Sequence, residues 1–162
     1  MEYLIHLAIL FSIYAMLSLS LNLIVGYTGL LSVAQGAFYG IGAYATALLL
    51  TNFGLNFFLS LILGVIVTIF VSLLIGLVLS KFDGDYYALG SLGFNVIAVG
   101  IFLNWESLTH GSLGIPGIAK PNLLGIDFSS NLNFLILVAV FLVLIYLLCD
   151  FISKSSFGRV LK

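Results

Sequence analysis

The sequence predicts an all-α, polytopic transmembrane helical bundle with about five membrane-spanning helices. Of the 162 residues, 62% are hydrophobic and only 7% are charged, whereas about 25% are charged in a typical soluble domain. No Asp, Glu, Lys or Arg occurs between Tyr3 and Ser80. The hydrocarbon core of a bilayer is about 30 Å thick and needs roughly 20 helical residues to cross it. This uncharged stretch alone therefore provides several crossings.

Five apolar segments are separated by glycine-rich or charged breaks. The predicted spans are residues 3–25, 34–50, 57–79, 86–103 and 134–152. The first is expected to end before Gly26, the second is short and rich in small residues, and the third is the most uniformly apolar. A β-barrel does not fit, because the apolar runs are continuous rather than alternating and are longer than barrel strands of about 10 residues.

Basic residues are distributed unevenly among the predicted loops. Cytoplasmic loops of membrane proteins carry an excess of Lys and Arg, so we expect the side with four of the five basic residues to be cytoplasmic. That side carries Lys81, Lys154, Arg159 and Lys162, and the opposite side carries Lys120. The N-terminus is then outside, the C-terminus is cytoplasmic, and the long loop of residues 104–133 is external.

The sequence contains no recognisable catalytic or metal-binding group. His6 and His110 lie in different regions, Cys149 is the only cysteine, and no Gly-rich phosphate-binding loop is present. A formal net charge of −1 leaves no basic surface that could bind nucleic acid. We therefore predict no enzyme, no metal site, no cofactor and no nucleic-acid partner.

Four polar side chains inside the predicted spans are candidates for a functional site. They are Asn22, Gln35, Tyr39 and Asn95. Polar groups are costly in hydrocarbon and usually face another helix or a water-filled path. Two interpretations stay open at this point, because these side chains could line a translocation path or could form hydrogen bonds between helices.

Glycines in the second and fourth spans are candidates for close helix packing. Gly36 and Gly40 form a small-xxx-small pattern, and Gly90 and Gly93 lie in the fourth span. Where side chains are missing, the backbone of another helix can approach closely. Such packing could occur within this chain or at an interface with another subunit.

Several blocks of the sequence resemble a known family. Residues 18–32, SLSLNLIVGYTGLLS, and residues 34–44, AQGAFYGIGAY, resemble the opening signature of bacterial branched-chain amino-acid ABC transporter permeases. Residues 84–89, GDYYAL, and residues 104–109, NWESLT, are similar to the LivM-type members. The tail at residues 156–161, SFGRVL, resembles the start of the family's cytoplasmic loop.

This resemblance implies a membrane-spanning permease subunit of an importer in the plasma (inner) membrane of a bacterium or archaeon. Its implied partners are membrane lipid, a second permease subunit of the same or another kind, two cytoplasmic ATPase subunits and an extracytoplasmic substrate-binding protein. The implied substrates are branched-chain or related hydrophobic amino acids. Two alternatives stay open: a permease for urea or other amides, and a structural or assembly subunit without a path of its own.

Members of this family are nearly twice as long as this chain. The chain therefore resembles the N-terminal part of a single permease domain, about half of a larger importer permease, and lacks the loop that docks the ATPase. In this family context, we expect the apolar external loop of residues 104–133 to fold over the outer membrane face. There it would contribute to docking of the binding protein.

Overall fold

The structure is a computed structural model that describes residues 2–29, 32–118, 122–123, 126–127 and 130–155. Six α-helices account for most of these residues. They are α1 (Glu2–Thr28), α2 (Gln35–Phe53), α3 (Phe57–Leu79), α4 (Asp85–Asn104), α5 (Glu106–Thr109) and α6 (Asn131–Lys154). A 3-10 helix, Gly111–Leu113, follows α5, and two short paired strands, β1 (Asn122–Leu123) and β2 (Ile126–Asp127), precede α6. The predicted all-α membrane fold is confirmed.

The long helices follow the predicted apolar segments closely. The third predicted span coincides with α3, while α2, α4 and α6 are each slightly longer than expected. The end of α1 differs as well, because the helix continues through Gly26 to Thr28. One glycine inside a helix costs only about 1 kcal/mol, so Gly26 does not break it. The helix ends instead at Gly29, whose φ of 67° is left-handed.

Among the described residues, four helices are long and apolar enough to cross a membrane. These are α1, α3, α4 and α6. The 19-residue α2 is not one of them, because Gln35, Asn52 and its glycines dilute its apolar content. The chain is thus a multi-pass membrane protein. The crossing predicted for α2 has to be argued from its packing.

The first of two compact units contains α1 and α6, which pack against each other. Among the described residues of this unit, three are buried: Ile9, Ser12 and Val138. The first turn of α6 is capped by Ser130, whose side chain accepts a hydrogen bond from the backbone N–H of Asn133. The last turn carries an ion pair of 2.7 Å between Asp150 and Lys154.

The second unit comprises residues 31–122, in which α2 packs against both α3 and α4. A short turn joins α2 to α3. Gly54 ends α2 in the left-handed conformation, with a φ of 58°, and the Asn56 side chain accepts a hydrogen bond from the N–H of Phe58 at the start of α3. From residue 40 to residue 50, only Ala43 of α2 is exposed. In contrast, α3 exposes large apolar side chains over most of its surface, as a lipid-facing helix does.

Candidate functional site

One face of α4 lies along α2 and forms what we call the α2–α4 seam. Its residues on α4 are Ser91, Asn95, Ala98 and Phe102, which recur at helical spacing. Ser91 and Ala98 are buried. Three of the polar or small residues singled out from the sequence, Gly36, Gly40 and Asn95, meet here.

At one end of the seam, Ser91 fixes the segment that leads into α2. Its Oγ accepts a hydrogen bond of 3.0 Å from the backbone N–H of Val33 and donates one of 2.8 Å to the carbonyl of Ala88. The Ser91 side chain is fully buried, and Ala34 beside Val33 is almost fully buried. Since Val33 precedes the first turn of α2, this bond pins the start of that helix to α4.

In the middle of the seam, the Asn95 amide faces Gly36. A Cβ placed on Gly36 would lie 3.2 Å from Asn95 Oδ1, so only glycine leaves the amide its full space. The side chain is half-buried. The structure shows no hydrogen bond between this amide and any residue it describes. An amide with free donors and acceptors, held in an apolar helix, is the kind of group that a polar solute can use.

Two aromatic pairs lie along the seam. At its far end, Phe102 stacks on Tyr44 with a ring-centroid separation of 4.7 Å, and beside Asn95, Phe94 contacts Phe38 at 5.4 Å. Such separations are typical of favourable aromatic pairs. Gly40 makes room for Phe102, because a Cβ at Gly40 would lie 2.6 Å from Phe102 Cε2. The seam therefore combines an unpaired amide with apolar walls.

The pairs along the seam also give its direction. Val33 meets Ser91, Gly36 meets Asn95, and Gly40 meets Phe102. Residue numbers rise together on the two helices, so α2 and α4 run parallel.

On its other side, α2 packs against α3 through a reciprocal contact that we call the Gly–Thr clasp. Its members are Gly42 and Thr46 on α2, and Gly64 and Thr68 on α3. Thr46 Oγ1 occupies the space beside Gly64, and Thr68 Oγ1 lies 3.1 Å from the Cβ position of Gly42. Each hydroxyl donates a 2.8 Å hydrogen bond to the carbonyl of the glycine four residues earlier on its own helix. The pairing is antiparallel, because residue numbers rise on one helix as they fall on the other.

The remaining candidates lie outside the seam's centre. Gln35 is the first residue of α2 and is half-buried, whereas Tyr39 is 51% exposed. Asn22 is exposed on α1 in the first unit, where its Oδ1 lies beside Gly26. The structure thus brings Asn95 together with the glycines of α2. Asn22 belongs to the first unit, whereas Gln35, Tyr39 and Asn95 belong to the second.

The two glycines singled out on α4 have different surroundings. A Cβ at Gly90 would lie 3.0 Å from Leu79 Cδ2, at the junction of α3 and α4. At Gly93 it would meet no heavy atom within 4 Å. Gly90 therefore lies at a contact within the second unit, and Gly93 lies on the open face of α4.

The Gly–Thr clasp and the role of Ser91 as an anchor were missed in the sequence. The α3 segment reads as uniformly apolar, which hides Gly64 and Thr68. Gly42 and Thr46 are four residues apart and therefore share a face of α2, but the sequence does not indicate which helix that face contacts. Ser60, on the same side of α3, is fully buried, and its hydroxyl has no hydrogen-bond partner within the described structure. A spacing of four between Ser60, Gly64 and Thr68 was the available signal.

The described residues include no group of three His, Cys, Asp or Glu side chains that could hold a metal ion.

Residues 3–162 match the family model described as "Branched-chain amino acid transport system / permease component". The chain belongs to this family. None of the solved structures matches it significantly.

Two curated relatives of this family carry the name "High-affinity branched-chain amino acid transport system permease protein LivM". The protein from Escherichia coli (strain K12) is 38% identical over 125 residues, which cover 77% of this chain and 29% of the relative. The protein from Salmonella typhimurium (strain LT2) is 37% identical over 127 residues, which cover 78% of this chain and 30% of the relative. The matched segment spans less than a third of the length of these relatives, which are more than twice as long as this chain rather than nearly twice.

Proposed function

We propose that the chain is part of a permease subunit of an ABC importer for branched-chain amino acids and that it acts in transport rather than as an enzyme. The family match over residues 3–162 and the LivM names of its two relatives support this function. The complete importer would contain a second permease subunit, two cytoplasmic ATPase subunits and an extracytoplasmic binding protein, in the plasma (inner) membrane.

Within that importer, the α2–α4 seam is part of the translocation path, and Asn95 is the side chain that contacts the solute. The observation that carries this assignment is the unpaired, half-buried Asn95 amide against Gly36. A zwitterionic amino acid needs a donor for its carboxylate and an acceptor for its ammonium group, and one amide offers both. The apolar rings of Phe94 and Phe102 provide surfaces for a branched aliphatic side chain.

Weak, reversible contacts suit a path, because a transported solute must leave as readily as it enters. In the present structure the seam is closed by Phe102 over Gly40 and by Asn95 over Gly36. Passage therefore requires α2 and α4 to separate. A movement of this kind needs a second state that ATP binding or hydrolysis in partner subunits stabilises.

The packing of α2 supports its assignment as the fifth crossing. The clasp sets α2 antiparallel to the membrane-spanning α3, and the seam sets it parallel to the membrane-spanning α4. Its 19 residues extend over about 28 Å at 1.5 Å per residue, close to the thickness of the hydrocarbon core. The N-terminus is then external and the C-terminus cytoplasmic, as the distribution of Lys and Arg predicts.

Uptake of labelled leucine by cells that make the whole transporter tests the role of Asn95. The Asn95→Leu variant is expected to reach the membrane at normal levels but to lose most uptake, because the amide is gone. Asn104→Leu is the matched control, since Asn104 lies at the exposed end of the same helix and bonds only to the carbonyl of Gly100 among the described residues. Normal uptake by Asn95→Leu would exclude Asn95 from the path.

A further inference from the structure

The segment that follows α4 folds into a small, well-bonded cap. This α4 cap comprises Trp105, α5 and the 3-10 helix, residues 105–113. Thr109 is 2% exposed, and its Oγ1 lies 2.7 Å from the carbonyl of Phe102 and 2.8 Å from that of Trp105. Carbonyls at the end of a helix have no partner within the helix, so the contact with Phe102 places Thr109 Oγ1 at a group that α4 leaves unpaired.

The cap turns back alongside α4 instead of continuing away from it. His110 and Gly111 are both left-handed, with φ values of 57° and 58°, and two such residues in succession reverse the chain. As a result, Gly111 is buried against α4, where a Cβ would lie 3.0 Å from the carbonyl of Leu103. The 3-10 helix therefore lies level with the last turn of α4.

Part of the outer surface of the cap is apolar. Leu113 is 92% exposed, Trp105 and Leu108 are exposed as well, and so is Ile118 just after the cap. The indole N–H of Trp105 donates a 3.0 Å hydrogen bond to Ser107 Oγ. Since this polar group is paired, the ring can contact apolar surroundings. Glu106 and His110 are the only acidic or basic residues from 105 to 113. An isolated, fully exposed leucine is unremarkable, but one beside an exposed tryptophan on a fixed turn is a surface that fits an apolar partner.

This surface continues the exposed face of α4. A shallow groove on that helix is lined by Ile97, Gly100, Ile101, Asn104 and Trp105. Because α4 is long and apolar enough to cross a membrane, its exposed apolar side chains suit contact with acyl chains. Trp105 thus connects a lipid-facing helix to the cap, at the depth where tryptophan is most frequent in membrane proteins.

We propose that the α4 cap lies in the boundary between lipid headgroups and acyl chains, with Leu113 inserted into the lipid. The occupant of the apolar surface is a lipid rather than a soluble protein. The 3-10 helix that carries Leu113 packs through Gly111 against Leu103, in the last turn of α4, and a water-soluble partner would have to displace lipid to reach it. Short segments with an exposed apolar side bind membranes in this way.

Trp105 is the only tryptophan of the chain, so its fluorescence reports on the cap directly. The full chain is placed in phosphatidylcholine vesicles whose acyl chains carry bromine near the headgroup or near the bilayer centre. We expect blue-shifted Trp105 emission, and a larger loss of fluorescence with bromine near the headgroup. Equal emission in brominated and plain vesicles would overturn the proposal.

Two variants in which the single tryptophan is moved from residue 105 to another position test the orientation of the cap. Trp105→Phe with Leu113→Trp is expected to lose fluorescence to brominated lipid and to resist aqueous iodide. The matched control is Trp105→Phe with Ser112→Trp, because residue 112 is turned by about 120° on the same 3-10 helix. It is expected to be more accessible to iodide and less to bromine.

A third variant shows whether α4 lies in the bilayer, independently of whether the cap contacts lipid. Trp105→Phe with Val96→Trp, on the exposed side of α4, is expected to be quenched by bromine near the bilayer centre. If position 96 is quenched while position 113 is open to iodide, the cap is in water and the proposal is wrong. If position 113 becomes protected only when a soluble binding protein is added to the whole transporter, the surface is a protein-docking site and the proposal is also wrong.

Discussion

Thr46 on α2 occupies the space that a side chain on Gly64 of α3 would need. The contact is close because the Thr46 hydroxyl donates to the Gly42 carbonyl of its own helix, and that carbonyl lies 3.3 Å from the Cβ position of Gly64. Backbone as well as side-chain atoms of α2 therefore reach the surface of α3. In a membrane, where apolar helices gain little from leaving lipid, such close contact is a main source of helix association.

Gly64→Ala should therefore weaken the α2–α3 contact. An added methyl group meets both Thr46 and the Gly42 backbone, and overpacking of this kind costs about 1–3 kcal/mol. Gly76→Ala on the same helix is the control, since a Cβ there meets nothing within 4 Å. The free energy of unfolding in mixed micelles is the measurement. Equal values for the two variants would contradict the clasp.

Gly40→Ala should disturb the aromatic end of the α2–α4 seam. The new Cβ would displace the Phe102 ring from its stacked position on Tyr44, and we expect a loss of about 1–3 kcal/mol. Adding Phe102→Leu should recover part of that loss, because two residues in contact are coupled. Gly93→Ala, on the open face of α4, should be neutral or stabilise by up to about 1 kcal/mol. No recovery in the double variant would show that Phe102 is not the obstacle.

Ser91→Ala should release the start of α2 from α4. The backbone N–H of Val33 loses its acceptor, and an unpaired buried donor costs about 1–3 kcal/mol. Hydrogen exchange at the Val33 amide should become faster, and the free energy of unfolding should fall. Ser72→Ala is the comparison, because among the described residues that hydroxyl bonds only to the carbonyl of Ile69 on its own helix. If both variants exchange Val33 at the native rate, the Ser91 bond does not hold this segment.

Single cysteines at residues 55 and 83, introduced after Cys149→Ser, should be labelled from opposite sides of the membrane. Residue 55 lies in the turn after α2 and residue 83 in the turn after α3. The positive-inside bias places residue 55 outside and residue 83 in the cytoplasm. A third cysteine at residue 29 should share the side of residue 83 if α2 crosses. Labelling of residues 29 and 55 from the same side would show that α2 does not cross.

The apolar runs were sufficient to predict the helices, since the charged residues of every long helix are confined to its first residue or its last five residues. The sequence did not contain the register between helices. Gly36 and Asn95 were recognised separately, but their contact depends on α2 and α4 running parallel with Val33 opposite Ser91. Gly93 and Gly40 look alike as glycines in apolar spans, yet one faces open space and the other a phenylalanine ring. Only the three-dimensional packing separates them.

The clasp was harder to predict for a different reason. Threonine and glycine occur throughout the apolar spans, and their significance here comes from a match between two helices. Thr68 and Gly64 in α3 are spaced as Thr46 and Gly42 are in α2, but in an antiparallel pair each threonine meets the glycine of the other helix. A pattern that spans two segments is not visible in either segment alone.

The short turn at Gly54–Asn56 has a consequence for how the protein is made. Since α2 leaves the ribosome before α3 and is not apolar enough by itself, it would partition poorly into the bilayer on its own. The turn is too short to let α3 enter the bilayer far from α2, so the two helices insert as a hairpin. The strongly apolar α3 then supplies the free energy of insertion that α2 lacks. A longer, flexible linker at residues 54–56 should therefore raise the share of newly made chains in which α2 remains uninserted.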